Sequence, residues 1–284
     1  MVAISHRYGG KMARTTLLAL GVLLTSSVAV GTTNELTAEL QRPKRLQIVV
    51  QAQAVSNLYA GNSGDRAANT RISLAPGYKL GDKYRLSASA SAIQQTSPVP
   101  KGTLSNTRLA LTHVPIALSE DTIFIPVIGA VAPTNEDNRR LNSYNGGLLL
   151  EGTTITNFNL FGMNFAGVTG LALAKNFHTW DRTSTGAANI DYKADFYLGL
   201  EKSLTRKLTF LIDGDYIYAN TYQNSLRTQF MIGQSITWEE NKTWSFTIGH
   251  SNGGDALKAN GTDYNIRVFD GNTSVVYANI RAVY

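Results

Sequence analysis

The sequence predicts an all-β protein, an antiparallel transmembrane β-barrel of about 12 strands. Three observations carry this expectation. Apolar and polar residues alternate with period two through most of the chain after Arg45. Connections alternate between short polar turns and long loops, and the last strand-like segment is apolar at every second position up to the aromatic Tyr284. Composition agrees: 16% of the 284 residues are charged, well below the average soluble domain. The 43% of hydrophobic residues can build a packed or membrane-embedded layer. Cysteine is absent, which excludes disulfides and thiolate-ligated metals. Past residue 31 no run of about 18 apolar residues offers a transmembrane helix.

Residues 1–31 read as a signal peptide. Lys11 and Arg14 form a basic n-region, 17–24 is a short apolar h-region, and Ala29-Val30-Gly31 or Ser27-Val28-Ala29 supplies the small residues that precede cleavage. The alternative is a membrane anchor helix, for which the apolar core is short. Removing this segment takes away Arg7, Lys11 and Arg14 and no acid, so the net charge falls from +6 to +3. A modest excess spread along the chain is not a nucleic-acid footprint. Residues 32–44, with Glu35, Leu36, Glu39 and Leu40 before Pro43, are expected to be a periplasmic lead-in that could plug the lumen.

Residues 45–284 are the expected barrel. Leu46, Ile48, Val50 and Ala52 alternate with Gln47, Gln51 and Gln53; Ile72, Leu74 and Leu80 alternate with Arg71, Ser73 and Lys79. Tyr84, Leu86, Ala88 and Ala90 alternate with Arg85, Ser87 and Ser89; Tyr192, Phe196, Leu198 and Leu200 alternate with Asp191, Lys193, Asp195 and Glu201. Such alternation puts each set on one face of a strand. Tight turns are expected at 81–83, 119–121, 203–206 and 239–242, and long loops at 60–68, 95–106, 133–142, 178–189, 219–225 and 251–273. At about 20 residues per strand and connection, this span supplies twelve strands of membrane-crossing length. Residues 122–132 are apolar on both faces, and 143–177 makes two strands only if one is unusually long or the turn is not at 153–157. Pro76, Pro115 and Pro126 fall inside expected strands near the short-turn rim, where a bulge is best tolerated.

A secreted β-sandwich is the competing architecture. The last strand favours the barrel: Val276, Ala278, Ile280, Ala282 and Tyr284 resemble the C-terminal insertion signature of bacterial outer-membrane barrel proteins, a porin-like class. Tyr59, Tyr84, Tyr144, Phe177, Trp180, Tyr218, Trp238 and Trp244 suit interfacial girdles. The resemblance implies a location in the bacterial outer membrane, with that membrane's lipids and the barrel-assembly machinery as partners.

Gly249-His250-Ser251-Asn252-Gly253 matches the G-x-S-x-G elbow of α/β-hydrolases, but no His follows Ser251 and no helix pattern does either. In a phospholipase or lipid A deacylase-like barrel, His250 and Ser251 would have to share a face, which regular strand parity forbids unless a bulge intervenes. Asp255, Asn260, Asp263, Asn265 and Asp270 lack the spacing and bidentate Glu of a calcium loop. His113, His178 and His250 are too dispersed for a zinc site. No catalytic residue, metal or cofactor is therefore expected.

If the apolar set faces lipid, Arg71, Arg85, Arg108, Arg227 and Arg281 line one wall of the lumen, with Lys79 beside them. Asp191, Asp195, Asp213 and Asp215 line another, with Lys193 among them. Charged rows select solutes in pores. The expected function is a passive diffusion channel for small polar or anionic solutes. A lipid hydrolase and a closed structural or surface-binding barrel remain the alternatives.

Overall fold

A computed structural model describes residues 45–58, 68–97, 100–257, 263–270 and 273–284. The expected signal peptide, the lead-in and Tyr59 lie outside the described residues. One 14-segment sheet contains β1 (Leu46–Asn57), β2 (Ala68–Leu80), β3 (Tyr84–Ser97), β4 (Lys101–Leu104), β5 (Thr107–His113), β6 (Ile116–Ala117) and β7 (Thr122–Ala132). It continues through β8 (Tyr144–Leu160), β9 (Met163–His178), β10 (Ile190–Ser203), β11 (Leu208–Thr221), β12 (Leu226–Glu239), β13 (Trp244–Asp255) and β14 (Val275–Val283). All pairings are antiparallel, and β14 returns to β1 through Val49↔Val283 to Asn57↔Val275. Segments β4, β5 and β6 follow one another along a single position between β3 and β7. The sheet is thus a closed barrel of twelve staves.

The fourth stave is broken where its sequence cannot keep the ladder. Between Ser89↔Arg108 and Ala92↔Leu104, two residues of β3 oppose three, a bulge at Ser105 and Asn106. Between Thr112↔Val127 and Ile116↔Phe124 the same mismatch recurs, beside Pro115 and Pro126, which cannot donate to a ladder. Pro76 opposes Ile48 without a slip, but the pairing of β2 with β3 skips from Leu74 to Gly77 around it.

β8 and β9 are the long hairpin implied by 143–177. They are joined by Phe161 (φ 52°) and Gly162 (φ 74°), so both central residues are left-handed, as a type I′ turn requires. Glycine takes that conformation freely, whereas Phe161 takes it at a steric cost.

Alternation becomes inside and outside as expected. Leu46, Ile72, Leu74, Leu86, Phe196, Leu198, Ile212 and Ile280 are exposed on the outer wall, while Gln47, Gln53, Thr209, Ser235, Thr237 and Asn279 are buried within. The stretch 122–132 is apolar on both sides because Ile125 faces inward. Ile125, Ile155, Val168 and Leu211 are fully buried in the short-turn half of the lumen, each burial stabilising by about 1.5–3 kcal/mol. Tyr144 departs from the girdle: a register shift between Tyr144 and Gly146 leaves it buried. Tyr84, Phe177, Trp180, Tyr218, Trp238 and Trp244 are exposed.

Candidate functional site

A cavity of about 420 Å³ occupies the long-loop half of the lumen. Arg71 reaches it from β2, Arg108 from β5, Lys193 from β10 and Arg227 from β12. Ser73, Ser91, Asn106 and Asn176 add uncharged polar groups, and none of the described residues lining it is an acid.

Two loops roof this space. One carries α1 (Glu136–Leu141), started by Asn135, whose side chain accepts from Asn138 N at 2.7 Å, a cap that satisfies an otherwise orphaned helix amide. Asn135 Nδ2 also donates to Leu104 O at 2.5 Å, tying the roof to the bulged stave. The second loop spans 179–189. Its buried Asn189 donates to Asn142 O at 2.9 Å and Trp180 O at 2.8 Å, and Ser184 N donates to Leu141 O at 2.7 Å. His178 Nδ1 bonds Asn142 O at 2.7 Å, and its ring meets Tyr144 and Tyr222 edge-on. Asn138, Asn142, Thr183 and Asn189 line the cavity. Short polar side chains that bond backbone explain why these Asn-rich loops hold shape without apolar content.

The nine charged residues expected in the lumen do not form two opposed rows at one height. Arg71, Arg108 and Arg227 converge on the cavity. Arg85, bonded to Gln47, and Arg281 are buried near the short-turn rim. Asp195, Asp213 and Asp215 point inward from the neighbouring β10 and β11, and Asp195 and Asp213 are buried. Two of the acids' neighbours are already paired: Arg108 with Glu151 on β8, and Lys193 with Asp195 at 3.5 Å. Asp191 is displaced by a bulge between Ile190 and Tyr192 and pairs with Lys175, whose ammonium lies 3.9 Å from the Tyr192 ring centre. Lys193 lines the cavity from β10, as its parity predicts, whereas the roof asparagines were legible only as polar residues, because the folding-in of a loop leaves no periodic signal.

The hydrolase pair does not assemble. β12 and β13 keep one register through Gln234↔His250, Gly233↔Ser251 and Ile232↔Asn252, so no bulge turns the strand. His250 faces outward, with Nδ1 3.0 Å from Gln234 Nε2, while Ser251 is 3% exposed on the inner side. Among the described residues no three His, Asp or Glu side chains converge to hold a metal ion.

The barrel aligns with a solved outer-membrane channel from Pseudomonas putida F1 at a TM-score of 0.60 and 13% identity, covering 86% of this chain and 97% of that one. This likeness identifies the architecture. The fold is that of a bacterial outer-membrane barrel. Lower scores relate it to the NanC porin (TM-score 0.49, 11% identity, 83% and 98% covered) and the KdgM porin (0.47, 6%, 82% and 98%). No family model matches the chain, and no curated protein matches its sequence.

Proposed function

We propose that this outer-membrane barrel is a passive channel for small anionic solutes. The observation that carries the reading is the roofed cavity, which Arg71, Arg108, Lys193 and Arg227 line with no carboxylate among the described lining residues. Arg108 and Lys193 are paired with Glu151 and Asp195 beside it. Fixed positive charge in a low-dielectric cleft raises the local concentration of anions and repels cations. The serine and asparagine groups around it can replace part of a solute's hydration as it passes. Supporting context comes from the aligned structure, which is described as an outer-membrane channel.

Ile125, Ile155 and Leu211 narrow the short-turn half of the lumen, which favours low conductance over that of a wide porin. Twelve staves likewise fall between side-chain-filled small barrels and the open porins of 16–18 strands. Purified protein refolded into a planar bilayer tests the reading. Discrete conductance with a reversal potential on the anion side in a salt gradient is expected; a lumen that never conducts would leave a structural barrel in its place.

A further inference from the structure

The Gly249-His250-Ser251-Asn252-Gly253 segment has a use outside the lumen. Thr228, Gln234, His250 and Asn252 all face outward on β12 and β13 by register, a polar patch on a wall that is otherwise apolar. Polar groups left unsatisfied in hydrocarbon are costly. Thr228 and Asn252 are buried, and Gln234 and His250 half-buried. Asn252 is 1% exposed, and Phe230, an outward residue on the same patch, is 5% exposed.

What covers them is the described part of the connection between β13 and β14. Asn252 Nδ2 donates to Arg267 O at 2.7 Å, and its Oδ1 accepts from Thr273 at 2.5 Å. Asn265 N donates to Ala256 O at 2.8 Å, and the His250 ring stacks on Phe269 with centroids 5.7 Å apart. The segment therefore turns down over the outer wall instead of across the barrel mouth. Tyr264, Ile266, Val268 and, beside its contact with His250, Phe269 are exposed, alongside Asp263 and an Arg267–Asp270 ion pair at 2.9 Å.

The depth of this face decides its partner. His250 stands six residues above the exposed Trp244 on β13. At about 3.3 Å per residue and a tilt of about 40°, six residues climb about 15 Å into an apolar band about 25 Å tall. The far side of the segment is thus continuous with the lipid-facing wall. We propose that residues 263–270 form a strap clasped to the barrel by His250 and Asn252 and embedded by Ile266, Val268 and Phe269 in the outer-leaflet lipid. Irregular backbone is tolerated at such depth only where protein satisfies it, and the bonds at Asn252 and Ala256 satisfy Arg267 O and Asn265 N. This rests on the fold alone, and its failure would leave the channel reading untouched.

The absence of cysteine lets Val268→Cys carry a unique spin label. In folded protein in lipid vesicles, oxygen is expected to reach that label several-fold better than a water-soluble nickel chelate does. A label at Glu136→Cys on the roof gives the aqueous reference. Nickel-dominated access at position 268 overturns the proposal. Adding His250→Ala with Asn252→Ala should raise nickel access at 268 several-fold while the barrel keeps the heat-dependent gel mobility of folded protein. Unchanged access in that folded variant would overturn the clasp.

Discussion

Gly249 on β13 lies under the phenol ring of Tyr277, its cross-strand partner on β14, with no room between them for a β-carbon. The glycine is needed for this close approach and not for its backbone freedom. Gly249→Ala should push the ring into the lumen and cost about 1–3 kcal/mol, the usual penalty of overpacking. A lower urea midpoint for the barrel in detergent would show it, and an unchanged midpoint would mean that the ring swings aside freely.

In the ion pair between Arg108 and Glu151 the carboxylate is buried and the guanidinium half-buried at the cavity. Arg108→Leu alone leaves a buried carboxylate without this partner and should cost about 3 kcal/mol or more. Arg108→Leu with Glu151→Leu should recover much of that loss. Equal destabilisation by the single and double variants would show that the pair is not coupled.

On the outer wall, Leu198 is 66% exposed near the middle of β10. Leu198→Arg should cost about 2–4 kcal/mol in a bilayer if the site is near the midplane. The same variant should be nearly neutral in short-chain detergent, where the cation reaches water. Similar losses in both would count against lipid contact at this position.

Selectivity should follow the cavity. Arg71→Gln with Arg227→Gln removes two of its four cations, so the reversal potential in a salt gradient should move toward cations. The change should be largest at low ionic strength, where screening is weakest. Arg85→Gln, which sits near the short-turn rim bonded to Gln47, should move it less. A larger effect from Arg85 would put the selective step at the opposite end of the lumen.

Tyr284 closes the ring through paired backbone bonds with Ile48, at 3.1 Å and 2.9 Å. Its deletion should lower the amount of folded barrel in the outer membrane while leaving the ion selectivity of the remaining molecules unchanged. Wild-type levels of the truncated chain would remove the C-terminal residue from assembly.

Strand parity was legible because burial on one side forces strict alternation, and the even stave count follows from the alternation of short and long connections. Three departures were not legible, each for a local reason. Leu160-Phe161-Gly162-Met163 turns with no polar residue, so its one signal is a single glycine. The bulge at Ile190 and Tyr192 removes Asp191 from the inner face, and a bulge leaves no mark in composition. Phe230 and Asn252 have outward parity yet are buried, and Asn252 is bonded by a segment folded over the wall. The level of each charged residue along the barrel was not legible either, since parity reports direction and says nothing of height.

The pairing of β1 with β14 joins the first and last strands of the barrel. Every other neighbouring pair can form as soon as its hairpin is made, but this seam has no partner until the last strand is in place. Until then the growing sheet carries two open edges, each a template for association with another chain. Closure is therefore the step that depends on the longest sequence separation and gains least from local order. A ring of this kind has no preferred place to be cut once closed, so its vulnerable period is its assembly rather than its working life.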